Sequence, residues 1–261
     1  IGMRLLTMFI EIFGVVMFCC VWNMQDMIAK LIIQVVVLVL NFVFSKLIVF
    51  KAEDTVFTRE ELQRKKVRKW CTGLGFAIPA LTVLIAYIVN GVYPFGDHGV
   101  LIIDSLHQYL PFFTDFHDKL VNSQSLTYSF GGGLGYNMWA VFAYYLASPL
   151  NLLITIVSSK HVMDFMAYLI LLKIALTGGI FGWYLSRRGK DRDYFPIAFG
   201  CMYALSAFMI GYYFNLMWLD SIMVLPLVML GIEKIVAGKK GRFYALALCY
   251  ALYCNYYIGY M

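Results

Sequence analysis

The sequence predicts an all-α, polytopic membrane protein, and three observations predict it. Of its 261 residues, 62% are hydrophobic and only 14% charged, with a mean hydropathy of +0.75; a soluble domain carries roughly a quarter charged residues. The apolar residues come in runs of about 20, the length of a helix that crosses a bilayer core. The ten-residue alternation of a membrane β-barrel is missing. Lysine and arginine, finally, gather in short segments between the runs, as they do in cytoplasmic loops.

Those basic segments orient the chain. The strongest is "KAEDTVFTREELQRKKVRKW", residues 51–70, with Lys51, Arg59, Arg64, Lys65, Lys66, Arg68 and Lys69 against four acids. "SRRGKDRD" at 186–193 and "EKIVAGKKGR" at 233–242 follow. Placed beside spans, such segments point to a membrane surface rather than to nucleic acid. With all three in the cytoplasm, 3–22 and 29–50 form a hairpin and 70–90 runs outward. Then 163–185 returns, 194–214 goes out, 217–235 comes back and 243–261 leaves again.

One apolar run, "NMWAVFAYYLASPLNLLITIV" at 137–157, is left over. If it spanned, Arg187, Arg188, Lys190 and Arg192 would lie outside. It is therefore expected to stay on the outer face as interfacial or re-entrant helices, broken at Ser148-Pro149. Residues 91–162 then form one large external region.

That region holds the chain's densest polar stretch, 97–120, with Asp97, Asp104, Asp115, Asp118, Lys119, His98, His107 and His117. Pro111 suits the first turn of a helix. From there Phe112, Phe113, Phe116 and Leu120 recur at helical spacing, with Thr114, Asp115, Asp118 and Lys119 on the other side. The expectation is an in-plane helix with its aromatic face in the headgroups. The same topology places Asn215, Trp218 and Asp220 in a short external turn, and Asn255, Tyr256 and Tyr257 near the outer face. Residues far apart in sequence could thus converge on one external mouth.

Cys19, Cys20, Cys71, Cys201, Cys249 and Cys254 lie in or beside apolar spans without metal-ligand spacing, and read as packing residues. Arg4 precedes an apolar run, but no cleavage site follows. Ile1 at the start and Met261 inside an apolar run make the chain read as a piece of a longer protein. "FGGGLGYN" lacks the Lys-Ser/Thr of a phosphate-binding loop and reads as a flexible turn.

The motifs "GVYPFGDHGVLIIDSLHQYLPFF", "LTYSFGGGLGYNMWA", "AYYLASPLNLL", "LLKIALTGG" and "NLMWLDSIMVLPLVMLGIEK" closely resemble the N-terminal part of the YfhO family, over residues 70–261. The resemblance implies a GT-C-like glycosyltransferase architecture, with a large external loop carrying interfacial helices after the first YfhO-like span. It also implies transfer of sugars from a polyprenyl-phosphate carrier to envelope polymers such as lipoteichoic acid, in the bacterial cell membrane. Residues 1–53 hold "AKLIIQVVVLVLNFVFSKLIVFK", with Asn41, Phe42, Ser45, Lys46, Val49 and Phe50, and resemble the last two spans of GtrA-like proteins, which are thought to help polyprenyl-linked sugars cross the membrane. Residues 54–69 read as a basic cytoplasmic linker between the two.

Such a transfer needs a carboxylate to take the proton of a sugar hydroxyl, and donors or positive charge for the departing phosphate. Asp104, at the outer end of the first YfhO-like span, stands where the resemblance expects the acid, so it is the candidate base; an N-cap or surface role is its alternative. Asp97 and Asp115 are less specific. Lys173 lies within an apolar span, where a charge generally faces a cavity or a partner; it reads either as a donor-phosphate ligand or as half of an ion pair. Glu11 has a similar setting. His107, Gln108, Tyr109, Asn215, Trp218, Asp220 and Asn255 complete the candidate substrate-binding set. His98 and His107 could bind phosphate or a divalent metal, but no dedicated metal site or other cofactor is expected. The expected partners are the lipid-linked sugar, the acceptor polymer and the bilayer, without nucleic acid. Two other classes compete: a flippase or transporter of lipid-linked sugar, and a non-catalytic scaffold for envelope assembly.

Overall fold

The structure is a computed structural model that describes residues 59–188 and 194–260. The GtrA-like spans, Glu11, Cys19, Cys20 and the start of the linker lie outside the described residues. The elements below belong to one compact unit built from residues 58–120 and 126–261.

Helix α1 (Arg59–Val89) is 31 residues long and starts well before the expected span. Its first turns, "REELQRKKVRK", are strong helix formers without a breaker, so part of the expected linker is helical and continuous with the span. The helix ends in a left-handed closure. Gly91 takes φ +64°, its N–H donates to Ile88 O, and the Val92 N–H reaches Tyr87 O at 2.9 Å, so two orphan carbonyls are satisfied.

The polar stretch forms a single helical run. A wide π turn, Ser105–Tyr109, leads directly into α2 (Leu110–Val121). The helix thus starts before Pro111 instead of at it. Proline has no N–H to donate and its ring crowds the carbonyl four residues earlier, which the wide turn accommodates.

The face expected in the headgroups turns inward. Phe113 and Phe116 are buried and meet Phe165 and Phe142. Lys119, expected on the solvent side, is buried too, and its Nζ donates to Tyr128 O at 3.1 Å. Protein, not lipid, covers this helix because the later elements fold back over it.

A short hairpin follows, β1 (Tyr128–Ser129) paired antiparallel with β2 (Tyr136–Asn137). Its loop is the glycine-rich stretch. Gly135 sits at φ +97° under the Tyr128 ring, and Tyr128 Oη donates to Leu134 O at 3.2 Å. The turn is held, not loose. Asn137 then caps α3 (Met138–Val141), accepting from Trp139 N at 3.0 Å.

A second π turn, Phe142–Leu146, continues α3, and a 3-10 segment, Pro149–Ile156, leaves it at a bend of 107°. The break falls at Ser148-Pro149, as the sequence predicts. Both ends of this apolar segment are tied to α2: Tyr136 Oη donates to Asp115 Oδ2 at 2.9 Å, and His117 Nε2 lies 2.9 Å from Val157 O. Asp115 and His117 are about 3 Å apart along the helix axis. The segment therefore enters and leaves at one level, as a re-entrant hairpin does. Single cysteines replacing Leu134 and Ser159, in a background without native cysteines, should both label with an impermeant thiol reagent from the same side. Labelling from opposite sides would restore a crossing.

Helix α4 (Val162–Arg188) and α7 (Leu216–Val236) match the expected spans at 163–185 and 217–235. The other two expected spans are broken helices instead of continuous ones. In 194–214, α5 (Phe195–Ala204) stops, and Ser206 starts α6 (Ala207–Gly211) by capping Met209 N. The pair still carries the chain from the basic end to the Tyr213–Val100 contact at the other, as a broken helix instead of a straight one. In 243–261, α8 (Arg242–Cys254) breaks at extended Asn255, whose Oδ1 accepts from Ile258 N at 2.8 Å to open α9 (Tyr256–Tyr260).

Glycine sets the spacing of the bundle. A Cβ on Gly75 of α1 would stand 2.8 Å from Gly178 O of α4, and one on Gly200 of α5 would stand 2.7 Å from the same oxygen. Three helices thus meet backbone to backbone, the close approach that small residues permit between spans. The ends of the bundle are chemically distinct. Arg188 Nε pairs with Glu233 Oε1 at 3.2 Å, Tyr184 Oη donates to the same oxygen at 2.6 Å, and Arg68 and Lys234 lie beside Arg187. All three basic segments therefore reach one end. At the other, Tyr168 Oη donates to Tyr93 O and Tyr213 Oη to Val100 O, which places 91–162 opposite the basic end.

Candidate active site

At the end opposite the basic segments, Asp104 occupies the first turn of the π segment, half-buried. It makes no side-chain cap bond, so the N-cap reading of this acid fails. A short relay holds it instead. Tyr145 Oη donates to Gln108 Oε1 at 3.1 Å, and Gln108 Nε2 donates over a long 3.4 Å to Asp104 Oδ1. Oδ1 is thereby engaged. Burial, then neighbouring Tyr144 and Asp104, push the Tyr145 hydroxyl above its usual range, so it remains a protonated donor at neutral pH.

Aromatic rings wall this carboxylate. Tyr109 is fully buried and stands edge-on to Tyr145 at 5.2 Å; Phe112 is 5.1 Å from Tyr145, and Tyr144 is 5.7 Å from Tyr256. Tyr109 Oη lies by the Met217 backbone without closing a hydrogen bond. Burial raises its pKa well above the usual phenol range, so it too stays neutral. His107 and Gln108 are exposed beside Asp104.

Farther into the bundle lies a buried ion pair. Lys173 and Asp220 are both fully buried, with Nζ 2.6 Å from Asp220 Oδ2 and 3.0 Å from Leu216 O. Ser148, at the tip of the re-entrant hairpin, donates to Asp220 Oδ1 at 2.8 Å. Tyr250 and Cys254 of α8 border the same carboxylate. Both Asp220 oxygens are thus satisfied, the condition on which an intramembrane charge is tolerated. Of the two sequence readings of Lys173, this geometry is that of the ion pair, and Asp220 lies inside α7 instead of in an external turn.

The remaining candidates divide. Asn215 is buried just before α7 and contributes no side-chain cap. Trp218 stacks against Phe208 at 6.3 Å, with its Nε1 buried and unpartnered among the described residues. Asn255 is buried and engaged in capping α9. His117 and Asp115 pin the re-entrant hairpin, and His98 Nδ1 is 2.7 Å from Asn90 O. Among the described residues no three His, Cys, Asp or Glu side chains are grouped as metal ligands. Local sequence gave no sign of the Tyr145–Gln108 contact or of the Ser148–Asp220 contact. Ser148-Pro149 signalled a break, but nothing local signalled its carboxylate partner 72 residues away.

Long apolar helices, a re-entrant hairpin anchored on an intramembrane ion pair, and a carboxylate among tyrosines define an all-α, polytopic membrane protein. The chain belongs to the YfhO family: the family described as bacterial membrane protein YfhO matches residues 75–261. No curated protein and no solved structure matches the chain.

Proposed function

We propose that the protein is an integral-membrane glycosyltransferase of GT-C type, transferring a sugar from a polyprenyl-phosphate donor to a cell-envelope polymer such as lipoteichoic acid. The reaction takes place on the outer face of the bacterial cell membrane. The observation that carries this reading is the Tyr145–Gln108–Asp104 relay, which orients a carboxylate at the end of the bundle opposite the basic segments. Asp104 Oδ2 takes the acceptor hydroxyl proton as its oxygen attacks the anomeric carbon and the C–O bond to phosphate breaks. Tyr144 and Tyr256 offer an aromatic wall to the sugar ring.

Lys173 is committed to Asp220, so charge stabilisation of the departing phosphate falls to His107 at the mouth. Asn215 and Trp218 stand as second-rank sugar contacts. The GtrA-like segment would deliver the lipid-linked donor, and nucleic acid has no part in the reaction.

The test uses the full chain in liposomes, with a radiolabelled polyprenyl-phosphate sugar and the acceptor polymer supplied together. Transfer of label to the polymer supports an enzyme. Label that changes leaflet but never leaves the lipid identifies a flippase, and label that does neither identifies a scaffold.

A further inference from the structure

We infer that the protein holds an anionic phospholipid of the leaflet at its basic end, with the phosphate between Arg68 and Arg187 and a hydrocarbon chain in the groove beneath them. This is independent of the glycosyl-transfer reading, which concerns the opposite end. The groove, about 460 Å³, is lined by Thr72 and Phe76 of α1, by Leu176, Ile180 and Trp183 of α4, and by Leu227 of α7. Its walls are almost wholly hydrocarbon. It runs for about 10 Å along α4, enough for the upper part of one acyl chain.

Cations stand at its upper rim. Arg68 lies one turn beyond Thr72 on α1, and Arg187 one turn beyond Trp183 on α4, with its guanidinium 4.9 Å from the Trp183 ring. The two helices are in backbone contact just below, where a Cβ on Gly182 would stand 2.7 Å from Cys71 O. Arg68 and Arg187 consequently act on each other as like charges. Among the described residues neither has a carboxylate within ion-pair distance, whereas neighbouring Arg188 has Glu233. Arg68 Nε is moreover buried without a hydrogen-bond partner. Two guanidiniums and an orphan donor above an apolar slot are complementary to a phosphate joined to a hydrocarbon chain. A zwitterionic lipid offers the same chain but neutralises its own phosphate.

Native mass spectrometry of the full chain in mild detergent tests this, with phosphatidylglycerol or phosphatidylcholine of identical chains. The wild type should retain phosphatidylglycerol preferentially, and equimolar inorganic phosphate should not displace it. Arg68→Gln with Arg187→Gln should weaken phosphatidylglycerol about thirtyfold and leave phosphatidylcholine unchanged. Ile180→Trp, which fills the slot, should weaken both lipids. Arg64→Gln with Lys69→Gln removes the same charge from exposed positions and should change little. Equal retention of both lipids by the wild type would overturn the proposal. So would an unchanged preference in the Arg68/Arg187 variant, or an equal loss in the Arg64/Lys69 control.

Discussion

Asp104→Asn should remove nearly all sugar transfer while leaving donor binding intact. Asparagine keeps the shape of the side chain and can still meet Gln108, but it cannot take a proton from the acceptor hydroxyl. General-base catalysis contributes roughly 100- to 10,000-fold, and the loss should fall in that range when turnover is measured in liposomes. Asp115→Asn is the comparison. Asp115 accepts from Tyr136 Oη, and burial followed by that carboxylate contact pushes the tyrosine up to about 12. Tyr136 therefore serves as a neutral donor to that carboxylate, holding the hairpin. Its asparagine variant keeps an acceptor oxygen and should lose much less activity. Near wild-type turnover in Asp104→Asn would remove the base assignment and leave the acid a structural role.

Lys173→Met should strongly destabilise the described bundle. A reading from sequence alone expects this change to weaken donor use in an intact fold, because methionine keeps most of the length. The ion pair alters that expectation. Without the ammonium, Asp220 is left charged and fully buried, with Ser148 as its remaining partner. Breaking one side of a buried pair costs about 3–5 kcal/mol. Replacing both partners by hydrocarbon, as in Lys173→Met with Asp220→Leu, should recover most of that loss. Ser148→Ala removes a single bond to the carboxylate and should cost about 1–3 kcal/mol. Unfolding in mixed micelles, read by tryptophan fluorescence, measures all three. If the single and the double variant were equally unstable, the pair would not be the source of the effect. A loss of donor use in a fully stable single variant would instead return Lys173 to a binding role.

Composition and periodicity made the helical, membrane-spanning class legible, because an apolar run of about 20 residues has few other stable fates. The spans at 163–185 and 217–235 were legible for that reason, as was the break at Ser148-Pro149. Charge asymmetry separated the three basic segments from the region 91–162, and the structure places them at opposite ends of the bundle. The glycines of "TGGIFG" in α4 carry a small-residue spacing that would have marked the contact with α1 and α5.

Local pattern could not reveal what covers a face. The aromatic stripe of α2 has the same periodicity whether it meets headgroups or Phe165 and Phe142. The expected spans at 194–214 and 243–261 carry enough apolar residues to cross. They break because Ser206 and Asn255 offer the backbone local hydrogen bonds that compete with a continuous helix. The role of Lys173 was decided at still longer range, by Asp220, 47 residues on, and Ser148, which reaches that carboxylate only because the hairpin re-enters. By itself the sequence determined the solvent in which this chain folds, the lengths of its principal helices and the end at which its positive charge collects, since those follow from transfer free energies of consecutive residues. Only the tertiary structure decided which polar groups meet, because a buried charge is satisfied by geometry between distant segments and not by its neighbours in the chain.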